Sequence, residues 1–354
     1  MREKAILLLS DGSRFEGRSV GAEGTVIADM VFTTGVVGYL EGLTDPAHEG
    51  QILVQTFPLI GNYGIAEADL SSPKATVRGY VIGELSDTPS NFRSEGDLPS
   101  FLKKEGLVAI SGIDTRSLTK LLRSRGKVQA VLTTDLAQAS VDVITGRATS
   151  QLPQAQKDSI FPTCRGTADR QVILWDLGAT QGLFEALQQF DRPVCAAPRD
   201  TDADALLAHH PAGVVISDGP GDLADHQDLV PVIRTLIDAQ IPLLGIGLGH
   251  LLLAQAQGLA VTPLIPSHHG AQSVRDKETN ALFLTNQSNH ETVALESLDT
   301  SIASLRYQCV NDQTCAGLDY KNAPAIGVQF RPEGRAGVLD GLQVLERFYQ
   351  LGEA

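Results

Sequence analysis

Residues 242–250 read Pro-Leu-Leu-Gly-Ile-Gly-Leu-Gly-His, an apolar run that turns into alternating glycines and then into the helix-forming stretch Leu251 to Gln257. Strand, sharp turn and helix make the geometry of a nucleophile elbow, where flanking glycines relieve backbone crowding around one projecting side chain. Such a turn serves acyl transfer. A thiolate or hydroxyl attacks, an imidazole takes its proton, a carboxylate orients the imidazole, and N–H donors hold the oxyanion. The apex residue here is Gly247, which has no side chain, and its neighbours Ile246 and Leu248 cannot attack in its place. The glycines also invite a phosphate-cradle reading. Their spacing is G-x-G-x-G rather than G-x-G-x-x-G, and no Lys-Ser or Lys-Thr follows, so that signal is weak.

The elements that would position an elbow are legible around it. Strand patterns at Gln171–Leu174, Gly213–Ser217 and Pro242–Ile246 alternate with helical ones at Leu183–Phe190 and Leu229–Gln240. A last strand, Ala325–Phe330, and a closing helix, Leu339–Leu351, complete the tail. This alternation predicts an α/β domain with a mainly parallel sheet, its site at the carboxyl ends of the strands, where Gly247 and the residues after Phe330 fall. Residues 1–140 read as a separate mixed, β-rich domain. Short runs at Lys4–Leu9, Val26–Phe32 and Gln51–Thr56 are broken by Gly, Asp and Pro turns, and a helix is expected over Asp114–Arg125, ended by Gly126. Residues 141–170, polar and mixed with Pro153 and Pro162, read as a linker containing some helix. The second domain spans 171–354.

The elbow resembles the G-I-C-L-G-H-Q segment of class I, triad-type glutamine amidotransferases. Within that class the chain resembles the small subunit of carbamoyl phosphate synthetase over about residues 4 to 350. The N-terminal half carries the specific likeness, in Thr34-Gly35, Gly38-Tyr39, Thr44-Asp45-Pro46, Pro58 to Gly64, Ser90-Asn91-Phe92-Arg93 and Val108 to Arg116. The resemblance places the family's cysteine at Gly247 and its histidine at Arg331, in Gln329-Phe330-Arg331-Pro332-Glu333, where the carboxylate Glu333 is retained. Arginine stays protonated and cannot act as a general base. The loop Ser217 to Asp222 is similar to the family's G-P-G-D loop, with Gly219 and Gly221 letting backbone N–H groups approach a substrate. Against the family pattern the glutamine pocket is eroded. Ala47 replaces a serine and Leu251 follows the elbow where a glutamine is expected; Asn289-His290-Glu291-Thr292 stands for an N-H-G-aromatic segment. Asp176 to Thr180 lacks a lysine. Leu248, after the apex, completes the degenerate pocket. His250 and His268-His269 have family counterparts and are read as structural. Arg331 and Glu333, two apart at a strand end, are expected to leave one face and form an ion pair. The alternative is that Arg331, with N–H groups near Gly219 and Gly221, binds a small anion.

Composition bounds these readings. The 354 residues are 42% hydrophobic, enough for two cored domains. Lys+Arg 28 against Asp+Glu 42 gives a net charge of −14, a poor match to nucleic acid. Neither a signal peptide nor a membrane-spanning run is found, and a cytoplasmic location is expected. Cys164, Cys195, Cys309 and Cys315 are expected to be reduced and structural. Cys309 and Cys315 have no second pair or nearby histidine in sequence to complete a zinc site. No cofactor is expected. The resemblance implies a large-subunit partner, and the lost nucleophile and base imply a structural or regulatory subunit without glutamine hydrolysis. Two alternatives stand beside it: a conventional glutamine-hydrolysing subunit supplying ammonia for carbamoyl phosphate in arginine or pyrimidine biosynthesis, and a small-anion-binding regulatory module.

Overall fold

The computed structural model describes residues 3–126, 128–145, 159–165, 171–334 and 339–352. The chain divides into two compact units, Met1–Pro153 and Gln154–Ala354. The expected linker opens with a short helix, Val141–Thr145. Its residues 146–158 and 166–170, Pro153 among them, lie outside the described residues.

The first unit holds β1 (Lys4–Leu9), β2 (Arg14–Ser19), β3 (Thr25–Thr33), β4 (Ile52–Gln55), β5 (Leu59–Ile60), β6 (Gly79–Val81), β7 (Glu84–Leu85), β8 (Val108–Ser111) and β9 (Gln129–Thr133). Seven of them close into a barrel in the order β1-β2-β8-β6-β4-β3-β9, while β5 and β7 pair apart. Closure removes the exposed edges an open sheet of this size would leave. The interior is filled by Leu7, Leu9, Ile52, Val54, Ile110 and Leu132, among others. Helices α1 (Tyr39–Leu43), α2 (Leu98–Lys104), α3 (Thr115–Arg125) and α4 (Val141–Thr145) complete the unit. The helix expected at Asp114 is α3. The Asp114 carboxylate accepts the Ser117 N–H at 2.9 Å, and Gly126, at φ 72°, ends it.

Among the described residues, the second unit is one nine-stranded sheet with helices on both faces. Its strands are β10 (Val172–Asp176), β11 (Val194–Pro198), β12 (Gly213–Ile216), β13 (Leu243–Ile246), β14 (Val261–Asp276), β15 (Leu282–Val293), β16 (Ala303–Cys309), β17 (Cys315–Tyr320) and β18 (Ala325–Val328). The helices are α5 (Gln181–Leu187), α6 (Ala203–Ala208), α7 (Val230–Asp238), α8 (Leu248–Ala256) and α9 (Gln343–Leu351). The sheet order is β11-β10-β12-β13-β18-β17-β16-β14-β15. The first five strands are parallel, as the βα alternation predicts, and β17, β16, β14 and β15 continue antiparallel. Alternate residues of the parallel strands face opposite layers. Ile173, Val214 and Leu243 pack with α6, α7 and α8, whereas Leu174, Val215 and Leu244 pack with α5 and α9.

Two expectations about the cysteines are corrected. Cys164 and Cys195 form a disulfide. A parallel bridge between Thr163 and Ala196 lays the end of the linker beside β11, so that residues 31 apart in sequence become neighbours. Cys309 and Cys315 are free and buried, but Cys309 does have a histidine nearby: β14 pairs with β16 and carries His268 to it.

Candidate active site at the β13–α8 turn

The elbow is present. Gly247 stands between β13 and α8 with φ 54° and ψ −113°, backbone that side-chain-bearing residues rarely adopt. Its N–H donates to the Val328 carbonyl at 2.9 Å, which ties the turn to β18. The place of a side chain is nevertheless taken. A Cβ on Gly247 would meet the Asp218 carboxylate, with Oδ2 at 2.8 Å and Oδ1 and Cγ closer still. Asp218 comes from the loop after β12. Its Oδ1 accepts the Leu248 N–H at 2.9 Å and the Gly219 N–H at 2.9 Å. Two backbone donors thus converge on one carboxylate oxygen, the arrangement acyl-transfer sites reserve for an oxyanion. Oδ2 lies 3.3 Å from the Arg331 guanidinium.

The loop holding Asp218 is braced on both sides. Ser217 Oγ accepts the Leu177 N–H at 2.9 Å and donates to the Asp218 carbonyl at 2.7 Å. Beyond it, a ring nitrogen of His226 lies 2.9 Å from the Pro220 carbonyl, and burial holds its pKa below the usual histidine range. Gly219 is required by close approach, because a Cβ there would collide with the Leu177 carbonyl. Gly221, at φ 93°, turns the loop outward and is exposed.

Strand β18 ends at Val328, so residues 331–333 lie in the following turn and strand alternation does not set their direction. The ion pair described for Arg331 is with Asp218. Glu333 is buried, and its Oε1 accepts the Thr180 hydroxyl at 2.7 Å. Thr180 meanwhile caps α5 by accepting the Leu183 N–H. The retained carboxylate therefore joins the turn to α5.

The whole length of the chain has close relatives. Residues 7–132 match the family model for the carbamoyl-phosphate synthase small chain, CPSase domain, and residues 173–350 match that for class-I glutamine amidotransferase. The carbamoyl phosphate synthase small chain of Listeria monocytogenes serotype 4b is 36% identical over 352 residues, covering 98% of this chain and 96% of that one. The chain belongs to the carbamoyl phosphate synthase small chain family. The small chain of Fusobacterium nucleatum is likewise 36% identical over 97% of this chain and 96% of its own. The pyrimidine-specific small chain of Halalkalibacterium halodurans is 36% identical over 99% and 98%.

Set beside this family's pattern, the structure brings Gly247, Leu248, Gly219 and Arg331 together around one carboxylate, that of Asp218. The other candidate pocket positions of the second unit make contacts that hold the fold together. Leu251 is buried in the core beneath α8. Glu291 accepts the Leu223 N–H at 2.9 Å, and His290 lies 2.6 Å from Asp222, so β15 is stapled to the G-P-G-D loop. Asn289 donates to the Glu291 carbonyl and Thr292 to the Cys315 carbonyl, both buried. Ala47 belongs to the first unit, where its N–H donates to Asp45. His250 is fully buried, with neither ring nitrogen hydrogen-bonded among the described residues, and burial lowers its pKa to about 3. It is a neutral core residue. Asp218 is the site residue that sequence reasoning missed. The available signal was a carboxylate in the glycine-rich loop and an arginine at the turn after the last strand, two opposite charges within one candidate site.

Proposed function

We propose that this chain is a small-chain subunit that does not hydrolyse glutamine and acts, in the cytoplasm, as a structural or regulatory partner of a carbamoyl phosphate synthetase large subunit. The observation that carries the reading is the Asp218 carboxylate. It fills the space a nucleophile would need and accepts from Leu248 and Gly219, two donors placed for an oxyanion. Glycine at 247 supplies no nucleophile and Arg331 no base, so a substrate amide would meet neither an attacking atom nor free donors. An internal carboxylate paired with Arg331 also counts against the anion-module reading, since a bound anion would have to displace it. Docking on a large subunit is supported by family membership and by the loop Ser90 to Arg93, whose Phe92 is 98% exposed. The deciding experiment supplies a large subunit with this chain and either glutamine or ammonium as nitrogen donor. Carbamoyl phosphate is expected from ammonium only. Glutamine-dependent synthesis at ordinary enzyme rates refutes the proposal.

A further inference from the structure

Far along the sheet from the elbow, three buried donors converge. His268 on β14, Gln287 on β15 and Cys309 at the end of β16 are all nearly inaccessible. His268 Nδ1 lies 3.9 Å from Cys309 Sγ and 2.9 Å from Gln287 Oε1, and the sulfur lies 3.7 Å from the same oxygen. Gln287 Nε2 donates to the Thr285 hydroxyl at 3.1 Å and to Cys309 Sγ at 3.5 Å, and the Thr285 hydroxyl donates to the Gln272 carbonyl, so the amide lies with both ends held. The second imidazole nitrogen, Nε2, lies 2.6 Å from Asp312 Oδ2. Asp312 sits in the turn between β16 and β17, partly exposed, and is fixed by the Thr314 N–H and hydroxyl.

We propose that His268, Cys309 and Gln287 form a binding site for a zinc-class cation. A point equidistant from the three donor atoms lies about 2.1 Å from each, against roughly 2.0–2.3 Å for zinc–nitrogen and zinc–sulfur bonds. A thiolate and an imidazole select zinc over the hard cations magnesium and calcium. Asp312 occupies the place from which a carboxylate fixes the tautomer of a ligating histidine, leaving the proton on Nε2 and the lone pair on Nδ1 facing the metal. Binding drives the thiol proton to solvent, and the thiolate together with the nearby Asp312 carboxylate balances the two positive charges. The partly exposed turn bearing Asp312 provides the approach.

The test uses the full chain, stripped with a chelator and kept non-reducing so that Cys164 and Cys195 stay joined. Zinc is titrated against a chromophoric chelator, and cobalt is substituted to read a thiolate-to-cobalt charge-transfer band. One equivalent of zinc is expected, with a cobalt–thiolate band. Cys309→Ser should remove the band and weaken binding at least 100-fold, and Cys315→Ser should leave both unchanged. Asp312→Asn changes a partly exposed residue and leaves the core packing intact; it should weaken zinc by about 10–100-fold. Less than one equivalent bound, or binding that survives Cys309→Ser in a variant with unchanged thermal unfolding, overturns the site. Weak zinc binding without a thiolate band would instead mark the surface group Asp222, His290 and Glu291, and would equally refute it.

Discussion

Placing a cysteine at position 247 should disrupt the site before it can supply a nucleophile. A Cβ there meets the Asp218 carboxylate at 2.8 Å or less from all three of its nearest atoms, so Asp218 must leave. It then loses the Leu248 and Gly219 N–H donors and its pairing with Arg331. Hydrogen bonds to charged groups contribute about 1.5–3 kcal/mol each. Asp218 is 17% exposed and regains water on leaving, which reduces the loss to about 2–3 kcal/mol in all. A side chain at φ 54° adds strain of about 1–3 kcal/mol. Gly247→Cys is therefore expected to cost roughly 3–6 kcal/mol, whereas in an Asp218→Ala background only the strain remains. Trp175 makes the measurement clean. It is the only tryptophan and lies fully buried in β10, so its fluorescence in urea reports the second unit alone. A Gly247→Cys cost equal in both backgrounds to within about 0.5 kcal/mol would refute the claim that Asp218 occupies the nucleophile's space.

The wild-type chain should release no ammonia from glutamine, and Gly247→Cys with Arg331→His should not restore ordinary rates, because the displaced Asp218 carboxylate still competes for the oxyanion donors and Leu251, Glu291 and Thr292 stay engaged in the fold. Adding Asp218→Ala to that pair should raise the rate above the double variant's, and an unchanged rate would count against the occupied-donor argument. Stability should fall on acidification. The His250 pKa of about 3 in the fold lies below its unfolded value near 6.5, so between those limits the unfolded chain binds the extra proton. That gives a slope of up to about 1.4 kcal/mol per pH unit, present at neutral pH and lost as pH falls. Urea midpoints at pH 7 and 5 should show a shallower loss in His250→Leu. Reducing the Cys164–Cys195 disulfide should lower the stability of the second unit by about 2–4 kcal/mol, read by the same Trp175 signal with and without reductant. Phe92→Ser should weaken association with a large subunit in sedimentation without moving the unfolding transition; unchanged association would remove this loop from the interface.

Four of the five parallel strands were legible because they are continuous apolar runs buried on both faces; the edge strand β11, only half buried, and helix α6 were not read from the sequence. Helix α3 announced itself by Asp114 and Gly126. The antiparallel half was not legible. β14 and β15 carry His268, His269, Asp276, Gln287 and Asn289 at buried positions, so their hydrophobic alternation is broken by polar groups. The Cys164–Cys195 pairing was invisible for a related reason, since a single bridge of backbone pairing creates it. At the site, the lack of a nucleophile at Gly247 and of a neutral base at Arg331 could be read directly from the residue types. What replaced them could not. The Arg331–Asp218 pair could not be read from the sequence, because β18 ends at Val328 and strand alternation does not carry to residue 331. Asp218 itself looked like one more loop residue until the fold set it against a glycine.

The interlock of Gly247, Asp218 and Arg331 also acts as a ratchet on the history of the site. Cysteine at 247 collides while Asp218 remains. Removing Asp218 first leaves Arg331 without the counter-charge described for it and the Leu248 and Gly219 donors without their acceptor. Replacing Arg331 first leaves the Asp218 carboxylate against a neutral neighbour with nothing yet to activate. Each single step toward glutamine chemistry is a loss, and the first gain arrives only when all three positions have changed. On the proposed reading, this turn is closed to glutamine chemistry in a way that no single substitution reopens.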